Sequence, residues 1–269
     1  MPDVQGKVIV VSGAAGGIGQ ELVSQLSAAG AVVVATDVDE IALRKVGGHA
    51  RVETVVCDVR KSEDWEKAFA SAGRLGPVYA LINAVGVLKP GYIDTVSAKD
   101  IDFHIDINVK GVMLGSAIAA REFKRQSFGH IINIASLAGV APIPGIGLYS
   151  ASKFAVRGFT LALSAELAET GVYATVVCPD AVKTPMLDLQ KDYPEAALTF
   201  SGTAPLSAAE VAEAIVSVIG KNEVEITLPT WRGVMAKAAS AMPGLVPMLV
   251  ETLRRTGLKN QARYEKGET

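Results

Sequence analysis

Seven short runs of apolar, often β-branched residues recur along the chain, and segments of helical length separate them. The runs are apolar almost throughout, which is typical of strands that helices cover on both faces. Such strands pair in parallel, because each crossover returns the chain to the same end of the sheet. The predicted strands cover residues 7–12, 31–36, 51–57, 78–83, 130–136, 172–178 and 224–229.

The segments between these strands have helical period and predict a doubly wound α/β fold, a single domain with a seven-stranded parallel sheet. We expect this domain to span residues 1–230, and residues 231–269 to form a helical C-terminal extension with a polar, frayed end. The extension is expected to pack on the same domain or at a subunit interface. The predicted helices cover residues 17–29, 39–46, 62–72, 98–126, 150–169 and 207–220.

Composition excludes several classes of function. The net charge of -2 provides no basic field for nucleic acid, and the 49% hydrophobic content suits one sizeable core. Cys57 and Cys178 each close an apolar run and show no zinc spacing, so we expect buried, reduced thiols and no metal. There is no signal-peptide pattern and no run of the ~18 apolar residues that a spanning helix needs, so a cytoplasmic protein is expected.

A glycine-rich turn, SGAAGGIG, follows the first strand and opens the first helix. Gly13, Gly17 and Gly19 allow close approach of the backbone to a ligand, and a helix N-terminus attracts an anion such as pyrophosphate. The spacing G-x-x-x-G-x-G differs from the usual G-x-G-x-x-G pattern. A tight turn without a ligand is the alternative interpretation.

Asp37 ends the second strand, eighteen residues after Gly19. A carboxylate at this place can accept hydrogen bonds from an adenosine ribose and would repel a 2′-phosphate. Neither Val38 nor the glycine-rich turn offers a cation for that phosphate, so NAD is favoured over NADP. The alternative is that Asp37 caps the next helix, although Asp39 is better placed for capping.

Tyr149 and Lys153 in the stretch YSASK are four residues apart and share one helix face. An ammonium lowers the pKa of a nearby phenol, and such a tyrosine can exchange a proton with an alcohol or a carbonyl. Two side chains on a surface helix are the simpler alternative. Chemistry is favoured because Asp58, Asn83 and Ser136 also follow or end strands, and parallel strands gather such residues at one edge.

In this order, the motifs resemble those of the short-chain dehydrogenase/reductase family over about residues 5–230. SGAAGGIG resembles T-G-x-x-x-G-x-G with Ser12 for Thr, and INAVG resembles N-N-A-G with Ala84 for the second Asn. PDAVKT resembles P-G-x-V-x-T with Asp180 for Gly. INVKG, IASLAG and YSASK carry the remaining motif residues, which are Asn108, Ser136, Tyr149 and Lys153.

The resemblance implies a role for each of these residues. Tyr149 would be the general acid/base, and Ser136 would hydrogen-bond the substrate oxygen. Lys153 would hold the nicotinamide ribose and lower the Tyr149 pKa, and Asn108 would anchor a water of the proton relay. The cofactor-binding residues that it implies are Gly13, Gly17, Ile18, Gly19, Asp37, Asp58, Val59, Asn83, Gly86, Tyr149, Lys153, Val182 and Thr184.

Two departures from the family pattern carry further expectations. Ala84 removes a side-chain amide that helps to fix the central strands, so local hydrogen bonding must differ. Asp180 places a carboxylate near the nicotinamide end, where it either favours a cationic ring or points to solvent. Val182 and Thr184 would seat the carboxamide, and Asp58, with Val59 beside it, would meet the adenine amine.

The substrate side of the predicted site is apolar. Residues 185–206, which we call the flap, follow no period, and a connection of this length is usually functional. The flap and LAGVAPIPGIGL after Ser136 predict a pocket for a small hydrophobic alcohol or ketone, with burial in the core or a subunit contact as the alternative. The apolar segment 238–250 would cover the substrate mouth, form a dimer contact or touch a membrane surface, in that order.

The sequence therefore predicts an NAD-dependent oxidoreductase that interconverts a hydrophobic secondary alcohol and its ketone. An NADP-dependent ketone reductase and a non-catalytic dinucleotide-binding regulator are the alternatives. Family resemblance implies that the helices at 98–126 and 150–169 pair across a two-fold axis, so a homodimer or homotetramer is expected.

Overall fold

The computed structural model describes residues 3–202 and 204–268, apart from the side chains of residues 245–249. Within these residues, seven parallel strands form one sheet in the order β3-β2-β1-β4-β5-β6-β9. The predicted doubly wound fold is therefore confirmed. The strands are β1 (Val8–Ser12), β2 (Val32–Asp37), β3 (Val52–Val56), β4 (Val78–Asn83), β5 (Gly129–Ile134), β6 (Val172–Pro179) and β9 (Glu225–Leu228).

Helices cover both faces of this sheet, as the continuous apolar strands require. One core cluster packs sheet residues such as Ile9 and Ile82 against the first and eighth helices, and another packs Val10 and Leu81 against the third and fifth. The helices before the flap are α1 (Gly17–Ala28), α2 (Glu40–Val46), α3 (Ser62–Leu75), α4 (Ala98–His104), α5 (Val112–Gln126) and α6 (Gly147–Glu166). The remaining helices are α7 (Pro185–Asp188), which lies in the flap, and α8 (Ala208–Val218), α9 (Thr230–Ala241) and α10 (Val246–Glu265), which follow it.

The predicted helix at 98–126 is interrupted by a π-helical turn at Ile105–Gly111, which joins α4 to α5. An extra residue in a turn of this kind re-aims one side chain, here Asn108, and such turns are frequent at functional sites. Periodicity alone does not show the interruption, because the apolar spacing continues through it.

The flap is more regular than the sequence predicts. It contains the short helix α7 and a 3₁₀ segment at Pro194–Phe200, and it ends in β8 (Leu206–Ser207), which pairs with β7 (Val182–Lys183). Residue 203 lies outside the described part of the flap. Short helices of three or four residues escape periodicity analysis, since a single turn shows no repeat.

The C-terminal extension packs on the flap through α10, and the fraying of its polar end stays a prediction. Asn260 Nδ2 donates to the carbonyl oxygens of Phe200 (2.9 Å) and Gly202 (3.0 Å). Gln261 Nε2 donates to two further flap carbonyls, and Tyr264 donates to Asp188 Oδ1 at 2.8 Å. These polar side chains have protein partners, so the helix continues to Glu265.

The apolar segment predicted to act as a cover, residues 238–250, falls partly on the side chains at 245–249, which lie outside the described residues. Its backbone completes α9, passes through a 3₁₀ turn at Pro243–Leu245 and begins α10. No described helix combines the length and the apolar character needed to cross a membrane.

A buried histidine makes the stability of the fold depend on pH. His130 on β5 shares a hydrogen bond with Thr175 Oγ1 (2.8 Å), and its Nδ1 accepts from Gly220 N (3.0 Å). Burial lowers the pKa of His130 to about 4, whereas an unfolded histidine titrates near ~6.5. Between these values the unfolded chain binds more protons, so this contribution to stability is complete above pH ~6.5 and is lost as the pH falls.

We therefore expect the free energy of unfolding to decrease between pH ~6.5 and ~4, with His130 contributing up to about 3 kcal/mol. His130→Gln should flatten this part of the profile in urea unfolding measured at several pH values. His49→Gln, which changes an exposed histidine, is the matched control and should keep the wild-type slope. An unchanged slope in His130→Gln would assign the effect to other groups.

Candidate active site

The glycine-rich turn after β1 approaches the segment after β4. Gly13 has a φ of +67°, a conformation that favours glycine, and a Cβ there would lie 2.7 Å from the Cα of Val85. At Gly19 a Cβ would overlap the carbonyl oxygen of Gly13, so the turn closes tightly on itself. Gly16 caps α1 without a side-chain hydrogen bond, which leaves the first N–H groups of the helix available to an anion.

Asp37 at the end of β2 holds this turn. Its Oδ2 accepts from Ala15 N (3.0 Å) and its Oδ1 from Asp39 N (3.1 Å). Asp39 caps α2 by accepting from Ala42 N (3.0 Å), as the sequence predicted. The Asp37 carboxylate is thus kept at the carboxyl edge of the sheet rather than being used as a helix cap.

Asp58 forms an ion pair that the sequence did not show. The guanidinium of Arg60 donates to both carboxylate oxygens of Asp58, each at 2.8 Å. These hydrogen bonds lower the pKa of the Asp58 carboxyl, although burial acts in the opposite direction. Val59 is buried, and its carbonyl accepts from Trp65 Nε1 (3.0 Å). The predicted adenine contact of Asp58 would have to form beside the Arg60 ion pair.

Asn83 is fully buried in a polar network between strands, and its side chain does not line the cleft described below. Its Oδ1 accepts from Ser12 Oγ (3.2 Å), and its Nδ2 donates to Asn133 Oδ1 (2.8 Å). Asn133 Nδ2 donates in turn to Thr160 Oγ1 on α6 (2.9 Å). Through this network the central strands are fixed despite the loss of an amide at Ala84.

Tyr149 and Lys153 lie on one face of α6 and are both buried, as their spacing predicts. The Lys153 Nζ donates to the Ile134 carbonyl oxygen (2.8 Å) and lies 5.7 Å from the centre of the Tyr149 ring. Ser136 follows β5 by two residues; its Oγ accepts from Ala138 N (3.1 Å) and donates to Pro179 O (3.4 Å). Ser136 is near enough to Tyr149 to lower the pKa of the phenol, although burial outweighs that effect. The three predicted catalytic side chains therefore meet.

Burial controls the protonation of this pair. It raises the pKa of Tyr149 to about 12, against the weaker effect of the nearby Ser136 hydroxyl. It lowers the pKa of Lys153 to about 8, because desolvation penalises the ammonium. In the protein's own groups burial outweighs any lowering, so the phenol holds its proton at physiological pH. The lowering of the Tyr149 pKa by Lys153, which the family resemblance implies, stays a prediction.

Asn108 in the π-helical turn connects the strand-end segment to α6. Its Oδ1 accepts from Val87 N (2.8 Å), and its Nδ2 donates to Val87 O (2.9 Å) and to Ser152 Oγ (3.0 Å). Ser152 Oγ then donates to the Tyr149 carbonyl oxygen (2.7 Å). In the described structure, Asn108 is thus a buried connector between the segment after β4 and α6.

A cleft of about 820 Å³ joins the glycine-rich turn to these side chains. Gly17 lies against Thr184, since a Cβ there would be 2.6 Å from Thr184 Cγ2, and a Cβ at Gly86 would lie 3.3 Å from Lys153 Nζ. A larger side chain at Gly17 or Gly86 would press against Thr184 or Lys153, so glycine at these positions leaves the cleft free for a dinucleotide. The predicted site residues that line the cleft are Gly17, Ile18, Gly19, Gly86, Ser136, Tyr149, Lys153, Val182 and Thr184.

The walls of the cleft are mostly apolar and include residues that the sequence analysis missed. Helix α9 contributes Trp231 and Met235, and Met242, in the segment predicted to act as a cover, directly follows the helix. The C-terminal extension thus forms part of the cleft. Other large apolar side chains in its walls include Leu88, Phe103, Ile143, Met186, Leu189, Leu198 and Leu253.

Asp180 neither points to solvent nor stands as a free charge beside the cleft. Its Oδ2 lies 2.6 Å from Arg232 Nε on α9, and the two side chains are only 17% and 25% exposed. Burial raises the pKa of Asp180, and Arg232 opposes that effect. The carboxylate is therefore compensated by an arginine of the C-terminal extension.

A family model described as short chain dehydrogenase matches residues 7–194. The chain belongs to the short-chain dehydrogenase family. The predicted resemblance is confirmed, and the protein is an oxidoreductase of a family that uses NAD(P). The roles of the individual side chains and the preference between NAD and NADP remain predictions.

Similar proteins agree with this membership. An uncharacterized oxidoreductase of Staphylococcus saprophyticus is 37% identical over 193 residues, which are 69% of this chain and 82% of that protein. A 3-alpha-(or 20-beta)-hydroxysteroid dehydrogenase of Mycobacterium bovis is 34% identical over 186 residues, 68% of this chain and 72% of that protein. A solved 3-ketoacyl-(acyl-carrier-protein) reductase from Brucella melitensis, complexed with NADH, has a TM-score of 0.76 at 27% identity and covers 84% of this chain and 97% of that chain.

The connector role of Asn108 in this short-chain dehydrogenase is testable by Asn108→Asp. The substitution removes the amide donor to Val87 O and Ser152 Oγ and places a carboxylate against their oxygens. We expect the free energy of unfolding in urea to fall by about 1–3 kcal/mol. Lys110→Gln, an exposed change in the same π-helical turn, is the control. Equal stability of the two variants would contradict the connector role.

Proposed function

We propose that this short-chain dehydrogenase interconverts a hydrophobic secondary alcohol and its ketone with NAD. The observation that carries the proposal is the meeting of Ser136, Tyr149 and Lys153 at an apolar cleft. An acid/base pair buried beside a lipophilic pocket can manage a proton on a substrate that offers few other polar groups.

Bound NADH would supply the hydride for the carbonyl carbon. In the direction of reduction, Tyr149 donates its phenolic proton to the substrate oxygen. Ser136 donates a hydrogen bond to the same oxygen and orients it. The high pKa of Tyr149 keeps the proton on the phenol until the oxygen becomes basic. The ammonium of Lys153 stabilises the phenolate that remains, and in oxidation that phenolate accepts the proton of the alcohol.

Lys153 and Asn108 complete the proposed proton path. Lys153 holds the nicotinamide ribose hydroxyls, and its pKa of about 8 lets it exchange protons near neutral pH. Asn108 anchors the water that connects Lys153 with solvent. The nearness of Asn108 Oδ1 and Lys153 Nζ supports this role, since both surround the same open space at Gly86 (3.8 and 3.3 Å from a Cβ built there).

The substrate class follows from the cleft walls. Large apolar side chains from the flap and from α9 surround the space in front of Tyr149. The names of two similar proteins, a hydroxysteroid dehydrogenase and a ketoacyl reductase, also describe apolar molecules with a hydroxyl or keto group. We propose the same general chemistry for this chain.

Self-association is proposed through the region of α4. Ile101 and Ile105 are each 41% exposed and, four residues apart, lie on one face of the helical segment that the family resemblance pairs across a two-fold axis. A second copy of the chain would cover them in a homodimer or homotetramer.

Tyr149→Phe tests catalysis by this site. It removes the proton donor without changing the ring, so we expect turnover to fall by at least about 100-fold, with NADH affinity unchanged within about twofold. The assay is NAD(H)-coupled turnover over secondary alcohols and ketones graded by size and polarity, with NADH binding followed by calorimetry. Tyr193→Phe, on the flap, is the matched control. Binding of NADH by the wild type with no turnover of any compound would favour the regulator instead.

The preference for NAD depends on Asp37. Asp37→Asn keeps an oxygen for Ala15 N but removes the charge that repels a 2′-phosphate, so the ratio of NADH to NADPH affinity should fall by about tenfold. Asp39→Asn makes the same charge change two residues away and preserves the helix cap, so it should leave the ratio unchanged. Tighter binding of NADPH than NADH by the wild type would contradict the NAD proposal.

A further inference from the structure

The C-terminal extension reaches the site at the position where this chain departs from its family's motif. Asp180 stands where PDAVKT has aspartate in place of glycine, and it forms the 2.6 Å ion pair with Arg232. Arg232 lies on α9, beyond the residues 7–194 that the family model matches. Both side chains line the cleft. The departure from the motif and the C-terminal extension are thus joined in one contact.

The ion pair holds the start of the segment that would carry the nicotinamide carboxamide. The backbone of this segment is tied at two other places: Asp180 N donates to Leu228 O (2.8 Å), and Leu206 N donates to Ala181 O (2.8 Å). Val182 then pairs with Leu206, and Thr184 Oγ1 donates to Val182 O (3.1 Å). Among these contacts, the Asp180 side chain is the one that connects the segment to α9.

The flap takes part in the same contact. A Cβ at Gly202 would lie 3.0 Å from Arg232 Nη1 and 3.5 Å from Asp180 Oδ2, so the flap backbone closes over the pair. Asn260 of α10 donates to the Gly202 carbonyl oxygen (3.0 Å). The half-buried carboxylate of Asp180 depends on the guanidinium of Arg232, because a buried charge without a partner has a higher free energy than a solvated one.

We propose that Arg232 is a positioning residue, which acts through Asp180 to hold the segment Ala181–Thr184 against the nicotinamide end of the cleft. This inference rests on the proposed role of Val182 and Thr184 in seating the carboxamide. Without the guanidinium, Asp180 moves toward water, and the segment next to it loses its fixed position. The extension thereby contributes to cofactor binding as well as to the apolar wall.

Binding of two ligands separates this role from a general loss of structure. NADH contains the nicotinamide, whereas ADP-ribose has the adenosine and the diphosphate-ribose but no nicotinamide ring. Calorimetric titration of both ligands is made with the wild type, Arg232→Ala, Asp180→Asn and Arg232→Lys. The exposed Arg255, paired with Glu251 within α10, provides the control Arg255→Ala.

We expect Arg232→Ala and Asp180→Asn each to weaken NADH binding by about tenfold and to leave ADP-ribose binding within about twofold. Arg232→Lys should recover part of the loss, and Arg255→Ala should bind both ligands as the wild type does. The double variant Asp180→Asn/Arg232→Ala should bind NADH no more weakly than either single variant, because the two residues act through one contact.

Three results would overturn the inference. They are equal weakening of NADH and ADP-ribose, no weakening of either, and additive losses in the double variant. If Arg232→Ala does not fold, Asp180→Asn, which keeps the size of the side chain, provides the same comparison. A wild type that binds neither ligand would overturn the proposed cofactor itself, whereas intact binding with unchanged selectivity overturns only the role of Arg232.

Discussion

The buried hydrogen bond between Asn83 Nδ2 and Asn133 Oδ1 (2.8 Å) joins the ends of two central strands, and the rest of the site depends on it. Ser12 extends it to β1, and Thr160 extends it to α6. A buried amide left without a partner is costly, so the network permits one relative position of these elements. Because α6 also carries Tyr149, the network places the phenol relative to the strand ends.

Two parts of the chain build the site and contribute different properties. The parallel sheet supplies the polar edge, with the glycine-rich turn, Asp37 and Ser136 at the ends of strands. The C-terminal extension supplies much of the apolar wall and the guanidinium of Arg232. Burial on α6 separates the proton affinities of Tyr149 and Lys153.

Much of the fold and of the catalytic constellation could be predicted from the sequence. Continuous apolar strands imply a parallel sheet, and a four-residue spacing places Tyr149 and Lys153 on one helix face, since both follow from local periodicity. The sequence did not show the hydrogen bonds and ion pairs that a side chain makes with a distant partner. Asn83 bonds to Asn133 inside the core, and Asp180 pairs with Arg232, fifty-two positions later.

By itself, then, the sequence determined the order of strands and helices, the edge at which the motifs gather and the family of the chain, because each depends on short-range patterns. Tertiary structure decided the interruption of the helix at Ile105–Gly111, the packing of α10 on the flap and the raised pKa of the Tyr149 phenol. Each of these three features depends on which distant residues a side chain contacts and on how deeply it is buried. Contacts and burial arise only when distant segments pack together, so no local spacing in the sequence encodes them.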